Sequence, residues 1–348
     1  MFSAIERLME NDAAEVDRSV FTSGDWAPHL SAVADVCRRA YEQGDPHAER
    51  SVQSLLRSIY RLELFPARWG ERNPEGSAFL LSVRNLIEHS FVRALDARIG
   101  PLEPHLPTRG AEVNADWLYE KLLRHPAYAH PLYTTVLPKH CSRRDLEYFL
   151  IQESTIDDST DDFLALVQVA ARGAAKIEIA RNYWDEMGNG DPVRLHSRLF
   201  HDMLDMLGAT VTTDRLATEA LVCGNLQAML ALKRRYFGLA VGYFAATEFM
   251  AVSRFKGVRE AWRRVGLGDG SAYHVLHITV DVDHAAGWAR EVLVPTMAES
   301  PHACADVVRG ALFRLETSNA YLDVVLKNIQ AGNPSLVAVA PLQAVGSP

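Results

Sequence analysis

Apolar residues return every three or four positions along almost the whole chain and hardly anywhere alternate one by one. From 51 to 64 the set Val52, Leu55, Leu56, Ile59, Tyr60 and Leu62 falls on one side of a helix, the period of a segment that buries one face. Strand signals are weak throughout, so the expected fold class is all-α. Helices are predicted over 32–41, 51–64 and 78–99. Pro101, Pro104 and Pro107 then crowd between Gly100 and Gly110. Prolines that close cannot occupy a helix interior, which puts a boundary there. The reading is an N-terminal helical domain over 1–109, a second domain over 110–333, and an uncharged tail over 334–348 that is either an ordered strap or a frayed end.

In the second domain a short helix is predicted over 116–123, followed by an irregular stretch to 140. Ser142 with Asp145 three residues on resembles a capping box, opening a helix over 143–172 that Gly173 breaks. A helix over 174–186 stops at the terminators of MGNGDP. Further helices are expected over 194–207, 213–236, 241–254, 272–294 and 303–330. With 48% apolar residues the chain can bury a sizeable core.

The net charge of −8 argues against general nucleic-acid binding, which needs a surplus of cations. Cys37, Cys141, Cys223 and Cys304 lie too far apart for a C-x-x-C pair, favouring reduced thiols over disulfides. The acidic N-terminus does not fit a secretion signal, and no apolar run approaches the ~18 residues of a membrane span. A soluble, cytoplasmic protein is expected.

The most informative segment is YHVLHITVDVDHAAGW. On a helix, His277, Asp281 and His284 stand at i, i+4 and i+7, so all three project from one face. Two imidazoles and a carboxylate there suit a first-row metal. An ordinary polar helix face is the competing reading, and His274 leaves the register open. Glu186 ends one helix and His196 begins the next, so the glycine-rich turn between them can fold both toward one point. Glu178 and His201 compete for those places. Glu153 and Glu248 lie in apolar helix interiors, where carboxylates are rare unless paired, protonated or metal-bound. Four carboxylates would balance two divalent cations, whereas a single zinc needs only three or four protein ligands. The ferritin-like alternative requires Glu-x-x-His pairs on helices, and here that spacing occurs as Glu299-Ser-Pro-His302, interrupted by proline.

Taken together, Glu153, Glu186 with His196, Glu248, and the H-x-x-x-D-x-x-H of His277, Asp281 and His284 make residues 115–330 resemble the heme-oxygenase-like diiron oxidases and oxygenases. The resemblance implies a seven-helix heme-oxygenase-like bundle with two non-heme irons, O2 as co-substrate, an external reductant and no heme. It places His196 and His284 mainly on one iron and His277 with Asp281 on the other. The N-terminal hundred residues resemble an extra helical region linked to dimerisation, so a homodimer is expected. Glu186 resembles an additional carboxylate of the N-oxygenating members. The expected reaction is therefore N-oxygenation of an amine or amino acid in specialised-metabolite biosynthesis. The alternative is oxidative decarboxylation, desaturation or C–C fragmentation of an amino acid or fatty acid. A cofactor-free helical binding protein is the reading from a different class. Tyr183, Trp184, Phe149, Phe244 and Phe249 are candidate pocket residues, and Asp157 or Asp161 a candidate partner for a cationic amine.

Overall fold

The computed structural model describes residues 2–102, 106, 110–268 and 272–332, with the side chains of 252 and 279–282 outside the described part. Among the described residues there are sixteen α-helices and no strand. The chain divides into two compact units, and in sequence the division falls between Arg98 and Ile99. The tail from 333 onward lies outside the described residues.

The first unit contains α1 (Phe2–Leu8), α2 (Ala13–Ser23), α3 (Trp26–Tyr41), α4 (Pro46–Leu64) and α5 (Ala78–Ile99). Val52, Leu55, Leu56 and Ile59 of α4 are buried, as their spacing requires. Asp45 caps α4 by accepting from the amides of His47 and Ala48 ahead of the favoured first-turn proline. Asp17 does the same at long range for α5, accepting from Ser77 Oγ at 2.6 Å and from the Ala78 and Phe79 amides. Neither α1 nor α2 is among the helices expected from sequence.

The second unit contains α6 (Ala111–Arg124), α7 (Leu137–His140), α8 (Arg143–Glu153), α9 (Thr160–Ala170), α10 (Gly173–Glu186), α11 (His196–Leu207), α12 (Thr218–Leu232), α13 (Phe237–Arg264), α14 (Ala272–Gly287), α15 (Val294–Glu299) and α16 (Pro301–Gln330). The two longest, α13 and α16, approach so closely that glycine is required at the crossing. A Cβ on Gly242 would stand 1.8 Å from the Val307 carbonyl oxygen, and one on Gly310 would stand 1.9 Å from that of Leu239. A π-helical turn, Trp288–Leu293, joins α14 to α15, and another, Leu132–Val136, leads into α7 within the stretch expected to be irregular. Such wide turns insert an extra residue and change which face the next residues present.

Several predicted boundaries differ. The helix expected over 143–172 is interrupted at 154–159 between α8 and α9. There Ser154 and Thr155 turn their hydroxyls back onto the Ile151 and Gln152 carbonyls, a bond that competes with helix continuation. The 213–236 segment is α12 flanked by two short 3₁₀ turns. The 241–254 helix runs on at both ends as α13. The capping box at Ser142 is formed with both of its reciprocal bonds. All four cysteines are free and buried, and burial pushes the Cys37, Cys141 and Cys223 thiols up to about 11. Among the described residues no helix is long and apolar enough to cross a membrane.

Candidate metal centre

Gly188, Asn189 and Gly190 all adopt left-handed backbone conformations between α10 and α11. At Gly188 a side chain is doubly excluded, because a Cβ there would lie 2.6 Å from the backbone of Arg194. This tight reversal turns the last residue of α10 back onto the first of α11. The result is a buried contact of 2.7 Å between Glu186 Oε2 and His196 Nδ1. From α14, His277 directs Nε2 toward the other carboxylate oxygen, 3.6 Å from Oε1. The His196 and His277 rings stand 4.4 Å apart, centre to centre. One donor atom from each of Glu186, His196 and His277 lies within 4.8 Å of the others, and all three residues are buried.

The orientation of these rings is set by what their second nitrogens do. His277 Nδ1–H donates to the Tyr273 carbonyl at 2.8 Å. A carbonyl can only accept, so Nδ1 carries a proton and Nε2 is the nitrogen that faces Glu186. His284 is fixed in the opposite sense. Its Nε2 is 3.0 Å from Asp185 Oδ2, which leaves Nδ1 directed at Glu248 Oε2, 3.6 Å away. Asp185, next in sequence to Glu186, is a residue that sequence reasoning missed. Its signal was the Asp-Glu pair at the helix end, where attention fell on Glu186.

Burial alone would raise the Glu186 carboxyl, but His196 and then His277 overcome it and hold the group well below the usual carboxylate range. An ionised carboxylate between two imidazoles is a suitable donor set for a divalent first-row cation. Two further observations agree with a polar guest. His196 Nδ1 is buried at 2.7 Å from a carboxylate oxygen yet outside hydrogen-bond alignment. Asn182, fully buried one turn before Glu186, has neither amide atom hydrogen-bonded.

The remaining candidates separate by position. His284 and Glu248 form a buried pair of their own. Asp281 is on α14 between the two histidines, with its side chain outside the described residues. Glu153 faces other partners: Oε1 accepts from the Tyr321 hydroxyl at 2.6 Å, and Oε2 is 3.3 Å from Arg254 Nη1. The structure thus groups His196 with His277, whereas the resemblance had grouped it with His284. Glu178 is buried against Arg181, and its carboxylate occupies the space that a side chain on Gly287 would need. His201 is largely exposed and pairs with Asp158 at 2.9 Å. His274 packs edge-on against Phe255, and burial, then His277 and Arg254, keep it neutral.

Asp157 is taken by Arg254 at 3.0 Å, so it is not available to a cationic amine. Asp161 is nearer the centre. Burial, then Asp162 and Glu186, push it up to about 6, and Ser197 Oγ donates to it at 3.4 Å. Of the aromatic candidates, Phe149 and Phe244 are core, Trp184 is half exposed, and Phe249 packs on Tyr119 and Tyr128.

Residues 147–319 match the model of a family described as iron-containing redox enzymes. A comparison with curated proteins finds no match.

Proposed function

We propose, from the premise that this chain belongs through residues 147–319 to the heme-oxygenase-like iron-containing redox enzymes, that it is a non-heme diiron oxygenase acting on nitrogen. The observation that carries the proposal is the buried Glu186 carboxylate held ionised between His196 and His277. These three would hold one iron. His284 and Glu248 would hold the second, joined by Asp281, which the family resemblance supplies. Glu153 is left out because Arg254 and Tyr321 already engage both of its oxygens.

Bound ferrous iron supplies the electrons that reduce O2 and the place where that happens. The protein's own share is orientation and exclusion of water. The Tyr273 carbonyl and Asp185 fix the two ring tautomers, and hydrogen bonds of this kind typically change metal affinity about 10–100-fold when removed. Phe244 on α13 and Trp288, in the π-helical turn after α14, are fully buried and stack 6.2 Å apart, so this part of the core is apolar. The amine or amino-acid substrate, an external electron donor, a cytoplasmic location and assembly as a homodimer belong to the same proposal.

The test is product analysis under ¹⁸O2, using iron-loaded, reduced protein and a panel of amines and amino acids. Label in a hydroxylamine, nitroso or nitro product is the expected result. An unlabelled alkene would instead mean that the oxidant abstracts hydrogen from carbon.

A further inference from the structure

A second polar region lies in the same unit, linked to His277 through Phe255. A small cavity is lined by Tyr128, Tyr133, Arg254, Arg314, Ser318 and Tyr321, among others. Arg254 is paired there with Asp157 at 3.0 Å and contacts Glu153 at 3.3 Å. Arg314 is not. It is 97% buried, its Nε and Nη1 have no hydrogen-bond partner, and the aromatic group it approaches is Tyr243, 5.3 Å from the guanidinium carbon. One turn along α16, Ser318 Oγ is likewise buried and unpartnered. A buried guanidinium with idle donors costs far more than a paired one, and a hydroxyl one turn away adds a further donor on the same helix face. The chemistry these donors select is a planar anion, for which the guanidinium fork is matched. The free space, about 20 Å³ for the centre of a water-sized group, admits a carboxylate head but no bulky anion.

The cavity is also well placed. The Arg254 guanidinium stacks 4.4 Å from the Phe255 ring centre, and Phe255 stands 5.0 Å from the His277 ring. Phe255 therefore touches both the cavity wall and the candidate metal centre. We propose that Arg314 and Ser318 form a binding site for the head of a small carboxylate, distinct from the candidate metal centre. This carboxylate site does not rest on the oxygenase reading.

The experiment uses the full chain freed of metal by chelation, with acetate as probe, acetamide as its neutral isostere and chloride at equal ionic strength. Thermal melting is followed as each is titrated. The expected result is a saturable rise in Tm with acetate and none with acetamide or chloride. Arg314→Gln should abolish the rise, and Ser318→Ala, a mild change, should weaken acetate about three- to tenfold. Equal effects of acetate and chloride, or an undiminished acetate response in both variants, would overturn the proposal. Iron loading is measured separately on the same variants. Acetate binding without iron uptake would sink the oxygenase reading and leave the carboxylate site, and iron uptake without acetate binding would do the reverse.

Discussion

Glu186 on α10 and Glu153 on α8 are both buried carboxylates, yet their surroundings drive them in opposite directions. Two imidazoles depress Glu186. At Glu153 burial dominates: Arg254 opposes it, but Asp157 competes for the same guanidinium, and the carboxyl rises to about 7. The consequence for stability can be signed. In the unfolded chain Glu153 loses its proton near pH 4.5, whereas in the folded protein it keeps it to about 7. Between those values the folded state binds more protons, so stability falls as pH rises across that window. Chemical denaturation of Glu153→Gln from pH 5 to 8 should show a shallower fall than wild type, with a residual slope of the same sign from Asp161, raised to about 6. An unchanged slope would mean that Glu153 is ionised throughout. Asp185 offers a second residue-level test. Asp185→Asn keeps the shape but weakens the hold on His284, and iron affinity should drop about 10–100-fold, read by competition with a chelator. The grouping of Glu186 with His196 and His277 was legible in part, because a Glu–turn–His and a histidine on a helix face are local patterns. Arg254 and Tyr321 were not, since they reach Glu153 from 101 and 168 positions away in sequence, a contact no spacing encodes.

Element by element, periodicity found the long helices and missed the places where tertiary contact overrides it. The interruption at 154–159 contains no glycine or proline to announce it. It is held by α12: Gln227 Nε2 donates to the freed Ile156 carbonyl at 3.3 Å, and Gly224 lets that helix approach the Thr155 carbonyl, where a Cβ would stand 2.5 Å away. Gln152 adds bonds to the Arg215 carbonyl and the Ala217 amide. The glycine turn before His196 was legible, by contrast, because left-handed residues have a compositional signature. The crossing of α13 and α16 supplies the prediction here. Gly242→Ala drives a methyl group into the Val307 carbonyl and should cost about 1–3 kcal/mol, a fall in Tm of several degrees. Gly110→Ala, at a position with open space and ordinary backbone angles, should change little. Equal effects of the two would contradict the close packing described.

The whole molecule is an all-helical chain whose second unit carries the family match and every residue of the proposed centre. The all-α class was written in the hydrophobic period itself, and the net charge of −8 spoke against nucleic acid as a partner. The proposed centre would draw its donors from four different helices, α10, α11, α13 and α14, with Glu186, His196 and His277 grouped and Glu248 beside His284. No single helix presents enough ligands, so the centre exists only when the fold does. Metal counting after anaerobic loading with Fe(II) tests this most directly. The account predicts about two irons per chain, with an absorbance change on admission of O2 and no heme spectrum. Retention of no iron, or of one iron unaffected by replacing Glu248 and His284, would contradict it.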